Sequence, residues 1–362
     1  MRRPDVHQFL PNLGFRDAVG NHTLASRRAL AEAGIRGEIW AEDIHGEHRA
    51  EARRLFDYPR QRKARKGTNL ILYQASTGSS GMAGFLAERP ERRLIYYHNI
   101  TPARFYEPYE AHAAVILERG RLELSQLCAG LTHGMANSEY SARELREMGV
   151  ANVDVIPPYA PLLEAEPDQS HSDWLRSTKN GIDLLFVGRV SPNKGHLHLL
   201  RAFAALRANA SEQPRLFVVG AWGPPAYMSA INGLRQKLGV DGMVFCGSIT
   251  DERVAAHYRE ADIFLCLSEH EGFCVPVIEA MRAGTVVVAY EGGAVAETLG
   301  GSGVLLHSLD PLLVAEVVDR VAGDEDLRKQ IVDRQRERVL EIERAPRDEL
   351  LVRSVRAAIE RR

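Results

Sequence analysis

The chain has 362 residues, 45% of them hydrophobic, and a formal net charge of −2. That length exceeds what one ordinary core needs and is enough for two. The near-neutral balance gives no bulk attraction for nucleic acid, and no run of about 18 apolar residues is present to span a bilayer.

The opening MRRPDVHQFL does not read as a signal peptide. The chain is therefore expected in the cytoplasm, with its four cysteines, Cys128, Cys246, Cys266 and Cys274, reduced and forming no CxxC pair. In chain order, strand-like runs fall at VHQFLP (6–11), GEIWA (37–41), NLILYQ (69–74), RLIYYH (93–98), LTHGMANS (131–138) and VDVIP (153–157). After the first run, Leu24 and Ala31 recur at helical spacing, and Gly34 sits at the expected C-cap.

The segment 157–181, PPYAPLLEAEPDQSHSDWLRSTKNG, lacks periodicity and reads as a linker. A second series follows at IDLLFVG (182–188), RLFVVG (215–220), MVFCG (243–247), IFLCL (263–267), TVVVAY (285–290) and GVLLH (303–307). Runs this apolar, separated by helices, predict α/β units with parallel strands buried on both faces. The expected organisation is a Rossmann-like domain over 1–157, a linker over 158–181 and a second such domain over 182–345. A helix over 346–362 is expected to cross back to the first domain. From Arg49 to Lys66, eight Lys or Arg stand against Glu51 and Asp57. This reads either as a solvated loop or as a surface for anionic lipid headgroups or an anionic acceptor.

In open α/β sheets, ligands bind beyond the carboxyl ends of the strands. After IDLLFVG come Arg189 and then Lys194-Gly195, which opens a helix. A guanidinium fork and an ammonium point charge suit a diphosphate without a metal. After IFLCL comes SEHEGFCVPVIEAM (268–281), in which Pro276 suits the first turn of a helix. The backbone N–H groups of Gly272, Phe273, Cys274 and Val275 would then cluster at a helix N-terminus and attract phosphate or hydroxyl oxygens. Glu279, one turn on, would point its carboxylate toward the same space, where it suits a vicinal diol. The plainer reading is that Glu279 complements the helix dipole.

These residues carry a resemblance. EGFCVPVIE resembles the E-x7-E motif of retaining GT-B glycosyltransferases of family 4. FVGRVSPNKG, VFCGSITDERVAAHYREADIFLCLSEHEGF and EAMRAGTVVVAYEGGAVAET are similar to that family in the same order. The resemblance implies a GT-B fold, two Rossmann-like domains with parallel sheets facing a central cleft and closing on the substrates. It also implies a nucleoside-diphosphate sugar donor held mainly by the C-terminal domain, with no cofactor and no metal. The residues matching Arg189 and Lys194 would contact the diphosphate, and the one matching Glu279 the ribose hydroxyls. Glu271 and the backbone from Gly272 to Val275 would meet the transferred sugar or its phosphates, and Ser248-Ile249 the nucleobase.

In the first half, the family's Gly-Gly pair falls at Asp17-Ala18, with Gly20 and Asn21 just after. The departure replaces a phosphate contact by a carboxylate, which would repel phosphate or instead accept from an acceptor hydroxyl. His98, at the end of RLIYY, resembles the family's active-site histidine. Phe105, Tyr106 and Tyr109 follow it and suit either an acceptor groove or helix packing.

The implied function is retaining transfer of a hexose to the hydroxyl of a glycan or lipid-linked glycan, in polysaccharide or lipopolysaccharide assembly. GDP-mannose stands ahead of UDP-sugars as donor, and the work would be done at the inner membrane face. A nucleotide-sugar epimerase on a similar scaffold, or a non-catalytic sugar-nucleotide-binding partner of another transferase, is the alternative. A dehydrogenase is disfavoured: GSSGMAG (78–84) spaces its glycines GxxGxxG and follows the third strand.

Overall fold

The computed structural model describes residues 5–14, 17–58, 69–79, 81–159, 163–210 and 212–360. The chain divides into two compact units, one formed by 1–104, 112–161 and 345–362, the other by 105–111 and 162–344.

The first unit holds a parallel sheet of seven strands: β1 Val6–Leu13, β2 Ile39–Ile44, β3 Ala52–Arg54, β4 Leu70–Ala75, β5 Arg92–Tyr97, β6 His133–Ala136 and β7 Asn152–Val155. Their order is β3-β2-β1-β4-β5-β6-β7. The second unit holds six: β8 Asp183–Val187, β9 Arg215–Val219, β10 Met243–Gly247, β11 Ile263–Cys266, β12 Val286–Tyr290 and β13 Val304–Leu306, in the order β10-β9-β8-β11-β12-β13. All pairings are parallel. The order reverses at β1/β4 in one sheet and at β8/β11 in the other, and ligands of such sheets sit beyond the carboxyl ends at that reversal. Both units are Rossmann-like, as the apolar runs predict.

The alternation of side chains explains why these strands are apolar on both faces. In the second sheet Leu184, Phe186, Leu265 and Val288 pack to one side, while Leu185, Phe264, Cys266 and Val287 pack to the other, against Val277 and Ile278 of the helix Val275–Ala283. In the first sheet Phe9, Ile71 and Tyr97 face one way, and Leu70, Leu72, Leu94 and Tyr96 the other. That second face is closed by Ala29 and Leu30 of the helix Ala18–Glu32 and by Leu351 and Val355 of the helix Arg347–Glu360.

Four readings change. The edge strand β3 has no apolar run to mark it: its sequence, Ala-Arg-Arg, carries charge, a common way to protect a sheet edge. The segment 158–181 is not all linker: Asp168 caps a helix Gln169–Ser177, its carboxylate accepting from the His171 amide at 3.0 Å, and Leu175 is buried beneath it. Residues 105–111 belong to the second unit, where Phe105 lies 6.0 Å from the His270 ring and Tyr109 4.8 Å from Tyr227. These aromatics are packing residues of that unit. Of the eight cations counted between Arg49 and Lys66, residues 60, 62, 63, 65 and 66 lie outside the described residues. Arg53 pairs with Glu38 at 2.9 Å.

Leu351 is fully buried on the first sheet. Leu351→Ala is expected to lower the stability of that unit by about 2–5 kcal/mol, read as a drop in the urea midpoint of its transition.

Candidate functional site

In the second unit three loops leave the carboxyl ends of β8, β11 and β12. Their contact depends on backbone approaches that admit no side chain. Gly195 has φ +70°, and a Cβ there would fall 2.0 Å from the Leu267 carbonyl oxygen. A Cβ on Gly292 would meet the Ser268 oxygen at 2.0 Å, and one on Gly293 the Glu271 oxygen at 2.3 Å. Hydrogen bonds stitch the loops once they are this close. Asn193 Nδ2 donates to the His270 carbonyl at 3.1 Å, the Glu269 amide to the Asn193 carbonyl at 2.9 Å, and the Ala294 amide to the Glu271 carbonyl at 2.9 Å.

This stitching brings together two of the predicted residues. Lys194 Nζ donates to both oxygens of Glu271, at 2.6 and 2.7 Å, and Glu271 is buried. Burial pulls the lysine pKa down, but the Glu271 charge and its hydrogen bonds outweigh that and raise it overall. An ammonium has three protons; two face the carboxylate and one is left for another acceptor.

Directly after Glu271, Cys274 takes a left-handed conformation, φ +64°, as the N-cap of the helix Val275–Ala283, with Pro276 in the first turn. The N–H groups of Gly272, Phe273 and Val275 meet no acceptor among the described residues. They form the kind of donor group that receives anions. Arg189, beyond Gly188 at the end of β8, is exposed and makes no hydrogen bond or ion pair among the described residues.

Glu279 is not part of the Lys194 cluster. Its Oε1 accepts from the Leu163 amide at 3.2 Å and its Oε2 from Tyr258 Oη at 2.9 Å. It lines a cavity of about 270 Å³ with Leu163, Pro167, Arg259 and Arg282, and burial raises its pKa. Ser248 is exposed after β10, while Ile249 packs on the core that holds Cys266 and Cys274. Those two sulfurs lie 4.0 Å apart, and all four cysteines are free thiols.

In the first unit, His98 follows β5 inside a buried polar chain. Gln74 Nε2 donates to Gln8 Oε1 at 2.7 Å, which turns Gln74 Oε1 to His98 Nε2 at 2.8 Å. His98 therefore donates through Nε2 and keeps Nδ1 as an acceptor. Burial pulls its pKa down to about 3, so it is neutral at physiological pH. His22, whose ring centroid is 4.8 Å away, is likewise held neutral by burial and by His98. The next residue, Asn99, has φ +79°; it and Cys274 are the non-glycine residues with positive φ among those described.

The loop over Asp17, Gly20 and Asn21 is a helix start. The Asp17 carboxylate accepts from the Gly20 amide at 2.9 Å and its carbonyl from the Asn21 amide at 2.9 Å. Burial, opposed by the Gly20 and Val19 backbone amides, raises the Asp17 pKa. The Gly20 amide is thus spent on the cap. Asp324, in the acidic string 324–326, also serves as a cap, accepting from the Leu327 amide at 3.0 Å. The sequence gives no role to Asn193, Gly292, Gly293, Tyr258 or Gln74, and marks Gly195 only as a helix start. The Gly-Gly of YEGGAV was the one available signal.

Comparison with known proteins adds to this geometry. Residues 169–338 match the family described as glycosyl transferases group 1, which spans nearly all of the second unit. Similar curated proteins include the D-inositol 3-phosphate glycosyltransferase of Corynebacterium kroppenstedtii, 31% identical over 49% of this chain and 42% of that protein. Another is the lipopolysaccharide 1,2-N-acetylglucosaminetransferase of Salmonella typhimurium, 27% identical over 53% of this chain and 50% of that protein. The chain spans about half the length of the curated relatives it matches. Among solved structures, sucrose-phosphate synthase from Thermosynechococcus elongatus superposes with a TM-score of 0.74 at 19% identity, over 98% of both chains. HepE of Anabaena, solved with UDP and glucose, gives 0.68 at 17% identity, over 98% of this chain and 99% of that one. The fold is therefore GT-B, and the similarity in sequence is to the group 1 glycosyl transferases.

Lys194→Met is expected to cost about 3–5 kcal/mol by leaving Glu271 buried without its partner. Lys194→Met with Glu271→Gln should recover most of that in urea denaturation. The histidines make a second prediction. His98, His196 and His257 are each pulled down to about 3 by burial, and His22 well below its usual value. Their unfolded pKa is about 6.5, so the unfolded chain takes up protons first as pH falls. Their contribution to stability is complete above pH 6.5 and is lost progressively from there toward pH 3. Urea midpoints measured across that window should fall, and less steeply in His98→Asn.

Proposed function

We propose that the chain is a glycosyltransferase using a nucleoside-diphosphate sugar, and more finely a retaining, metal-independent hexosyltransferase of family 4. The observation that carries this reading is the group of acceptorless N–H groups at Gly272, Phe273 and Val275, beside the buried Lys194–Glu271 pair. A leaving diphosphate needs cationic and amide donors that are already in place, because preorganised dipoles cost no reorganisation during reaction. Those amides, the third proton of Lys194 and the exposed Arg189 supply them.

Glu271, held by Lys194, is the acceptor for hydroxyls of the transferred sugar. Glu279 takes the ribose diol with the lone pairs that Tyr258 and Leu163 leave unused, and Ser248-Ile249 meet the base. His98 is neutral, so it contributes hydrogen bonds to the sugar through Nδ1 and gives up no proton. Transfer proceeds with attack on the face the diphosphate leaves; the acceptor's proton passes to that leaving phosphate, and no side chain acts as nucleophile.

GDP-mannose remains the first donor to test. The neighbour solved with UDP and glucose supports including UDP-sugars, and the names of the curated relatives support N-acetylglucosamine as well. The acceptor is a glycan or lipid-linked glycan in surface-polysaccharide or lipopolysaccharide assembly, at the cytoplasmic membrane face near the basic segment 49–66. No helix among the described residues is long and apolar enough to cross a membrane. A second reading, a donor-binding partner without transfer, is favoured by one observation: Asp17 occupies the helix start where the family contacts phosphate.

The test is calorimetry against a panel of nucleotide sugars in EDTA. One donor should bind saturably, and Glu279→Ala should weaken it at least tenfold, about 1.4 kcal/mol. Binding to none would overturn the assignment. Binding without transfer to any glycan acceptor, followed by NMR of the anomeric product, would favour the second reading.

A further inference from the structure

Two buried sulfurs at the floor of the second unit's cluster have no part in the proposed transfer. Cys266 ends β11 and Cys274 caps the following helix. Their sulfurs and a Glu271 carboxylate oxygen lie within 4.8 Å of one another, and all three residues are buried. The separation of the sulfurs is informative. A disulfide requires about 2.05 Å, half of the 4.0 Å present. A tetrahedral cation with bonds of about 2.3 Å to sulfur sets an S···S edge of about 3.8 Å. The thiols therefore stand at the spacing of two ligands of one metal. Each donor is fixed by the fold: Cys266 by the strand register with Ala289, Cys274 by its cap conformation, and Glu271 by Lys194 and the Gly292-Gly293 loop.

We propose that Cys266, Cys274 and Glu271 form a binding site for a thiophilic d10 cation such as Zn²⁺ or Cd²⁺, in competition with the Lys194 ammonium. Thiolate sulfur selects such cations, and three protein donors leave one tetrahedral position for water. Binding forms two metal–sulfur bonds and one metal–oxygen bond, and two thiol protons go to solvent. Lys194 has to give up Glu271, because a second cation against the same carboxylate is repelled. The site is thus inhibitory. Metal binding stands on this geometry alone; only the loss of donor binding rests on the function proposed above.

The experiment titrates the reduced, metal-free full chain with Cd²⁺, following the thiolate-to-metal charge-transfer band in the ultraviolet. One equivalent is expected, with the band abolished in Cys266→Ser/Cys274→Ser. Cd²⁺ should raise the melting temperature of Lys194→Met more than that of the wild type, since it replaces the missing cation. Where those variants fold poorly, alkylation of the wild type serves: Cd²⁺ should protect Cys266 and Cys274 and leave Cys246 unprotected. A band that persists without both cysteines, or equal stabilisation of Lys194→Met and wild type, would overturn the proposal. So would recovery of the two residues as a disulfide that excludes metal. Saturating Cd²⁺ should also weaken donor binding at least tenfold. Donor binding that survives it overturns the competition, and a metal band without any donor binding tells against the transferase reading alone.

Discussion

Backbone packed against backbone at the carboxyl ends of β8, β11 and β12 is the constraint from which the second unit's chemistry follows. At Gly195, Gly292 and Gly293 any Cβ would enter a carbonyl oxygen on the neighbouring loop. Only because those approaches are open does Lys194 reach Glu271, a residue 77 positions away in the chain. The pair in turn makes it tolerable to bury a carboxylate there at all, since an uncompensated buried charge costs several kcal/mol. The amides that follow Glu271 inherit their orientation from the same loop.

The first unit solves a different problem. Beyond β5 it carries a chain of neutral hydrogen bonds from His98 through Gln74 to Gln8, with the Arg121–Glu144 ion pair holding Asn99 and Tyr97 alongside. Burial keeps His98 and His22 uncharged, and the unit's helix N-terminus at Asp17 is closed by its own carboxylate. The two units thus differ in what their loops offer: open N–H donors for an anion in one, a neutral histidine at the end of a buried hydrogen-bonded chain in the other. Among the described residues, each also holds one non-glycine residue in left-handed conformation, Asn99 after β5 and Cys274 after β11. Strain of that kind persists only where surrounding contacts impose it, and it tends to collect at functional sites.

The comparisons follow the same division. The family match covers 169–338, the unit whose loops are fixed by glycine contacts and by a buried ion pair. Such contacts tolerate few substitutions, so their sequence pattern is recognisable. The first unit keeps the fold of its structural neighbours at low identity, as expected where many apolar combinations satisfy the same parallel sheet.

The sequence by itself determined the elements and the residue types of the site. Twelve of the strand-like runs, read from apolar stretches alone, are strands, because a parallel strand buried on both faces has no other way to be written. The left-out strand, β3, and the helix Gln169–Ser177 were illegible for the converse reason: one is short and charged, the other short and capped by a single aspartate. Arg189, Lys194, Glu271 and Glu279 were picked out by spacing and resemblance, but their partners were not. Tertiary structure alone decided that Lys194 binds Glu271, that Glu279 turns to Tyr258 and Leu163, that Asp17 caps its helix, and that two cysteines eight residues apart come within 4.0 Å. Periodicity encodes which face of an element is buried; which side chain meets which depends on how closely separate loops approach, and that is set by contacts distant in the chain.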